Sequence, residues 1–377
     1  MHKFMEQIEL IDHHCHAVTN QDLDRATFES LMSEGDRAVP GCTQFDKPLG
    51  LMMGKWCAPV LGLAPHADPD SYLSARKALG AREVARRLAG QTGVNLMLID
   101  TGFLAERLYD CNEMKAVTGI QTKEVIRIEA LMEEVARSGI TSGRELALAF
   151  VETLGARSAF ASGLKSIVAY RTSFDIPQSR PSETEVFLAA DEWLRQLADG
   201  TSKRLEDVTL VRFALWEAGE LCRKHKFPLQ LHVGIGDRDI FMPKCDPTVF
   251  APFIKDMEDW GVSITLLHCY PFIREAAWLS EVFSNVYMDI GVMQSFAGPF
   301  AKKIIGEAME ITPFYKQLYS SDAFGLAEMH YLGAALFRKG MAEVLNGWIS
   351  TGDVTANKAE QIATAICSGN AKRIYNL

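Results

Sequence analysis

Short apolar runs recur along the chain, each stopping abruptly at polar or charged residues. The first is Ile8, Leu10 and Ile11 before Asp12; the second, residues 93–99, stops at Asp100-Thr101-Gly102. Others fall at 125–129, 163–169, 228–233, 264–268, 286–290 and 317–322. Runs this short, bounded by turn residues, predict buried strands. Between them, spacing near 3.6 predicts helices over 21–34, 71–79, 131–137, 144–154, 205–224, 328–345 and 357–367. Ser182 with Glu185 three residues later predicts a capping box that opens a helix to about residue 198. Residues 38–91 break the rhythm with Pro40, Pro59, Pro65 and Pro69, yet carry Leu51, Met52, Met53 and Trp56. That mixture predicts a partly apolar insertion, serving as a lid.

Eight such strands alternating with helices predict a parallel α/β sheet. Eight is also the number that closes a (β/α)8 TIM barrel, here with a helical insertion after strand 1 and one domain over residues 1–377. A doubly wound sheet is the alternative. Its dinucleotide fingerprint is missing: Gly234-x-Gly236 lacks the third glycine, and Asp237 and Asp239 would repel a pyrophosphate.

In a barrel of this kind, chemistry belongs at the carboxyl ends of the strands. His14 and His16 end the first strand two residues apart, so on an extended backbone both rings leave one face, as a divalent metal site requires. His232 ends the fifth strand, His268 the sixth and Asp322 the eighth. Lys165 lies inside the apolar fourth strand, where an unpaired ammonium is costly. It must pair with an acid, lose its proton or be chemically modified. Arg171, Arg238 and Arg274 follow strand ends and could hold a substrate carboxylate.

Composition narrows the partners. The net charge of −9 argues against nucleic acid and anionic membranes. Hydrophobic content of 48% with 23% charged residues is that of a soluble globular protein, and no apolar run is long enough to span a bilayer. The eight scattered cysteines, with no export signal ahead of them, read as reduced thiols in a cytoplasmic protein. Cys15 and Cys269 adjoin candidate ligands but alternate away from them. A homo-oligomer is compatible with the sequence.

With these residues in place, the chain resembles the amidohydrolase superfamily, most closely the branch fused to glutamine-synthetase-like domains in some fungi and plants. The resemblance is carried by residues 163–171 (GLKSIVAYR), 231–237 (LHVGIGD), 268–277 (HCYPFIREAA), 319–323 (YSSDA) and 369–377 (GNAKRIYNL). It extends over nearly the whole chain and is weakest across residues 38–91. It implies that His14 and His16 bind the more buried metal and that Asp322 binds it too and shuttles the proton of the attacking water. His232 and His268 would bind a second metal where there is one. Lys165 would then be a carbamate bridging both ions. In a one-metal enzyme, His268 would be catalytic and Lys165 a substrate anchor.

The resemblance implies a zinc-type metal-dependent hydrolase acting on an amide or related C–N bond of a small, carboxylate-bearing molecule, with one or two divalent ions. Two other readings stand beside it: a one-metal decarboxylase, hydratase or sugar-acid isomerase, and a metal-binding scaffold without turnover.

Overall fold

The computed structural model describes residues 1–377, and its centre is a parallel sheet of seven strands in sequential order. These are β1 (Leu10–Cys15), β2 (Val94–Asp100), β3 (Gln121–Arg127), β4 (Gly163–Ser166), β5 (Leu229–His232), β6 (Ile264–Leu267) and β7 (Val286–Met288). Sequential order with a helix in every crossover is what a right-handed β–α–β winding gives. Five of the strands are buried along their whole length, as expected where helices cover a sheet.

The eighth expected strand is not regular. Residues 316–323 nevertheless lie between the two sheet edges. Leu318 donates to Met288 and Met288 to Lys316 on the β7 side; His13 donates to Tyr319, Asp322 to His14 and His16 to Ala323 on the β1 side. The ladder is broken here by the Asp12 carboxylate, which accepts from the Ser321 amide at 2.9 Å and hydroxyl at 2.5 Å, and by the left-handed turn at Asp322 (φ 45°).

Two strand expectations shift for identifiable reasons. β3 begins earlier, at Gln121, and hands over to a helix at Ile128. β4 stops at Ser166 because Glu129 captures the Ser166 hydroxyl (2.5 Å) and the Ile167 amide (3.0 Å), turning residues 168–171 into a helical turn. The capping box at Ser182 and Glu185 is present and opens Glu183–Asp199.

Residues 38–91 are more helical than expected, with Pro69–Leu79 and Ala81–Arg87 the longest pieces. They pack as part of the body. Phe45, Leu49, Met53 and Tyr72 belong to the main apolar core. Arg76 and Tyr72 both donate to the buried Glu328 carboxylate, at 2.9 and 3.0 Å. No helix is long and apolar enough to cross a membrane.

A smaller apolar cluster fills the amino-terminal end of the sheet: Ile11, Leu98, Val125, Tyr287 and Leu318 from the strands, capped by Ala371, Ile374 and Tyr375. With this floor plugged, the open end is the carboxyl one.

Candidate metal and active site

The carboxyl ends of β1, β4, β5 and β6 deliver His14, His16, Lys165, His232 and His268 to one point, beside Asp322. His14 Nε2 lies 3.3 Å from Asp322 Oδ1, and His16 Nε2 3.7 Å from the same oxygen. His268 Nδ1 is 3.0 Å from Asp322 Oδ2. The donor atoms of His14, His268 and Asp322 fall within 4.8 Å of one another. The His232 and His268 rings are 4.6 Å apart, and those of His14 and His268 5.4 Å. Lys165 faces inward, its Nζ 3.0 Å from His14 Nε2 and 3.1 Å from Asp100 Oδ2.

Outer hydrogen bonds fix which nitrogen faces the centre. His14 Nδ1 meets Gln230 Oε1 at 2.9 Å and His16 Nδ1 meets the Asp100 carbonyl at 3.1 Å, leaving both Nε2 atoms inward. Asp289 accepts the backbone N–H groups of His268 and Gly291, each at 2.7 Å. His268, Cys269 and Asp322 all have positive φ (69°, 51° and 45°), a costly conformation that surrounding contacts must hold. Gly291 makes room: a Cβ there would lie 2.4 Å from His268 Nδ1.

Burial keeps the imidazoles neutral. It pushes His16 down to about 3 and holds His14, His232 and His268 well below the ordinary histidine range, helped by the Lys165 charge. Burial also lowers Lys165, against the pull of Asp100, and raises Asp322 well above the carboxylate range although Lys165 opposes it. Burial would raise Asp100 as well, but Arg127, Lys165 and His16 outweigh it and hold that carboxyl far down.

The donor set fits a divalent ion. His232 Nε2 and both ring nitrogens of His268 are buried without a hydrogen-bond partner; the 3.0 Å approach of His268 to Asp322 is off the line a hydrogen bond needs. Unpaired buried nitrogens are expensive unless something binds them. A second trio, Asp12, Cys15 and His330, also brings donors within 4.8 Å, but both Asp12 oxygens are already held by Ser321.

A family model described as Amidohydrolase matches residues 188–377, half of the chain. The chain belongs to the amidohydrolase family. This amidohydrolase is 29% identical to Protein fluG of Emericella nidulans, over 98% of the chain and 46% of fluG, so it spans about half the length of that curated relative. A structure described as a metal-dependent hydrolase from Lactobacillus casei superposes with TM-score 0.86 at 26% identity, covering 99% of this chain and 96% of that one. Uronate isomerases from Thermotoga maritima and Bacillus halodurans share the fold, with TM-scores of 0.65 and 0.66 at 11% and 14% identity. They cover 99% and 100% of this chain, and it covers 96% and 95% of theirs. The amidohydrolase is an enzyme.

Above the amidohydrolase centre opens a cleft lined by His16, Lys165, His232, His268 and Asp322. Of the three arginines singled out by sequence, only Arg171 lines it; its Nη2 is 3.1 Å from Glu133 and its Nε is buried and unpartnered. Arg238 is exposed and pairs with Asp36, and Arg274 is exposed beside Glu307 and Glu310. Neither lines the cleft. Arg238 sits on an exposed loop and Arg274 in the first turn of the helix Ile273–Val282, and both side chains turn outward, a direction that proximity to a strand end does not encode. No residue of 38–91 lines it either.

Sequence reasoning missed several residues here. Asp100 and Arg127 end β2 and β3, and Arg127 grips Asp100 through Nε and Nη2 at 3.0 and 2.7 Å. A charged residue closing an apolar strand was a signal available for both. Gln230 carried the same signal, a polar side chain in an apolar strand. Glu34, Tyr170 and Arg204 also line the cleft, and nothing in their local sequence marks them.

Proposed function

We propose that this amidohydrolase cleaves an amide or related C–N bond in a small, carboxylate-bearing substrate, using a divalent ion, zinc first among candidates. The observation that carries it is the set of buried, unpartnered nitrogens on His232 and His268, beside His14 and Asp322. His14, His16 and Asp322 would hold the ion, with His232 or His268 completing the set. Such an ion, when bound, supplies Lewis acidity, lowering the pKa of water to roughly 7 and polarising a carbonyl oxygen.

The residues do the rest. Asp322 takes the proton of the attacking water and returns it to the leaving nitrogen, base becoming acid. His268, kept neutral by burial, would hydrogen-bond the scissile carbonyl. Arg171 offers its unfilled Nε edge to the substrate carboxylate. Asp100 at 3.1 Å favours Lys165 as an ammonium. An anionic carbamate on the same atom would meet that carboxylate, so one ion with Lys165 as a positioning charge is the preferred arrangement over two bridged ions. Residues 316–323 would serve as the eighth stave of the barrel, and residues 1–377 as one catalytic domain.

Elemental analysis of the purified protein should find about one divalent ion per chain. A panel of N-acyl amino acids and γ-glutamyl amides should include a compound split into carboxylate and amine. Decarboxylated or isomerised products, or an intact panel with the ion in place, would overturn the reading.

A further inference from the structure

The cleft holds charges that the hydrolytic chemistry does not use. Glu34 and Asp237 both line it. Around them the other acids are neutralised: Asp36 pairs with Arg238 at 3.5 Å, and Asp239 with Arg204 at 2.8 Å. Glu34 and Asp237 pair with nothing. Neither takes part in an ion pair, the Glu34 carboxylate accepts no hydrogen bond, and the Asp237 carboxylate accepts only the Asp239 amide of its own loop at 2.8 Å. The Lys47 charge acts on Glu34 without forming an ion pair with it, and its ammonium lies over the Phe296 ring, 5.4 Å from the centroid. Burial first, and the Asp237 charge second, push the Glu34 carboxyl up to about 7. The Lys47 charge opposes that rise only in part, and two neighbouring carboxylates with no paired cation are destabilising unless a ligand brings one.

Tyr170 stands between this pair and the metal centre. Its ring is 4.6 Å from that of His232, and its phenol oxygen lies 2.1 Å from where a Cβ on Gly236 would be, next to Asp237. Two carboxylates beside an aromatic face are the chemistry that binds an ammonium group. An independent feature of the same cleft asks for the opposite charge. The Arg171 side chain is only 10% exposed, with Glu133 on Nη2 and its buried Nε empty.

We propose that the substrate is a small zwitterion, its ammonium held by Glu34 and Asp237 against Tyr170 and its carboxylate by Arg171. This rests on the hydrolase reading only for the position of the reacting bond between these two anchors.

The test is calorimetric titration of the metal-loaded protein with glutarate and with each enantiomer of glutamate, which adds one ammonium to the same skeleton. One glutamate enantiomer should bind about tenfold tighter than glutarate. In Glu34→Gln/Asp237→Asn that preference should vanish while glutarate affinity stays within about twofold. Should the double variant fail to fold, Asp237→Asn alone, on an exposed loop, should lose about threefold of the preference. Equal binding by the wild type, a preference that survives the variants, or no binding of any of the three overturns the proposal. So does displacement of glutamate by millimolar Mg²⁺ through the pair, which would make it a metal site. Amide hydrolysis separates the two readings. Glutamate preference without turnover of any amide sinks the hydrolase and keeps the zwitterion. Turnover confined to amides lacking an amine does the reverse.

Discussion

His13 and His268 are both buried imidazoles of the same sheet, yet one is saturated and the other bare. His13 Nε2 meets Asp289 at 2.7 Å and its Nδ1 meets the Tyr375 hydroxyl at 2.9 Å. Gln230 adds bonds to the His13 carbonyl and the same hydroxyl, at 2.9 and 2.8 Å. His268, one layer nearer the mouth, has no hydrogen-bond partner on either nitrogen, and its backbone is held in the left-handed region. The floor spends its polar groups on each other; the mouth leaves them open for a ligand. A buried histidine is therefore informative through its unfilled valence, not through its burial.

The largest effect expected at the mouth is that of Asp322→Asn. An amide cannot accept the water's proton, so kcat should fall about 10³-fold with the melting temperature barely changed. Near-normal turnover would break the contrast at its centre. Next, His14→Ala and His16→Ala should each lose the ion, read by elemental analysis. His13→Asn should keep the ion and instead lose about 1–3 kcal/mol of stability in urea, because buried Asp289 loses its partner. A His13 variant that drops the metal but not the stability would invert the comparison.

Tyr375→Phe removes one hydroxyl from the floor and should cost about 1–2 kcal/mol in stability, with KM unchanged. The smallest effect concerns Glu34. Its carboxyl is raised to about 7 in the folded state, above the ordinary 4.5, so the folded protein binds more protons than the unfolded chain between those values. The Glu34 contribution to stability is therefore most favourable below about pH 4.5 and declines as pH rises toward 7. Glu34→Gln should flatten that decline in urea titrations at pH 5 and pH 8. An unchanged slope would mean that its carboxyl is not held up by burial.

His14, His16, Lys165, His232, His268 and Asp322 were legible in the sequence because each interrupts or ends an apolar run, where a polar group needs a reason. The fold was legible for the same cause: buried parallel strands are short and apolar, and the helices between them keep their period. What failed was whatever depends on a partner far along the chain. The broken ladder at 316–323 comes from Asp12, the early end of β4 from Glu129, and neither reaches across by any local signal. Arg238 and Arg274 resemble Arg171 in sequence position, and only the outward direction of their side chains separates them.

The floor also fixes an order of events. Tyr375 bonds to His13 across 362 positions of sequence and to Gln230 across 145. Gln230 in turn orients His14. Contacts this distant close slowly, since loop entropy must be spent before they stabilise anything. On a ribosome, β1 through β7 would emerge with the His14 ring still unset, and only synthesis of the segment around Tyr375 would lock it. A nascent chain would thus carry His14, His16, His232, His268 and Asp322 before the His14 ring is set, so the candidate centre is completed only once the segment around Tyr375 has been made.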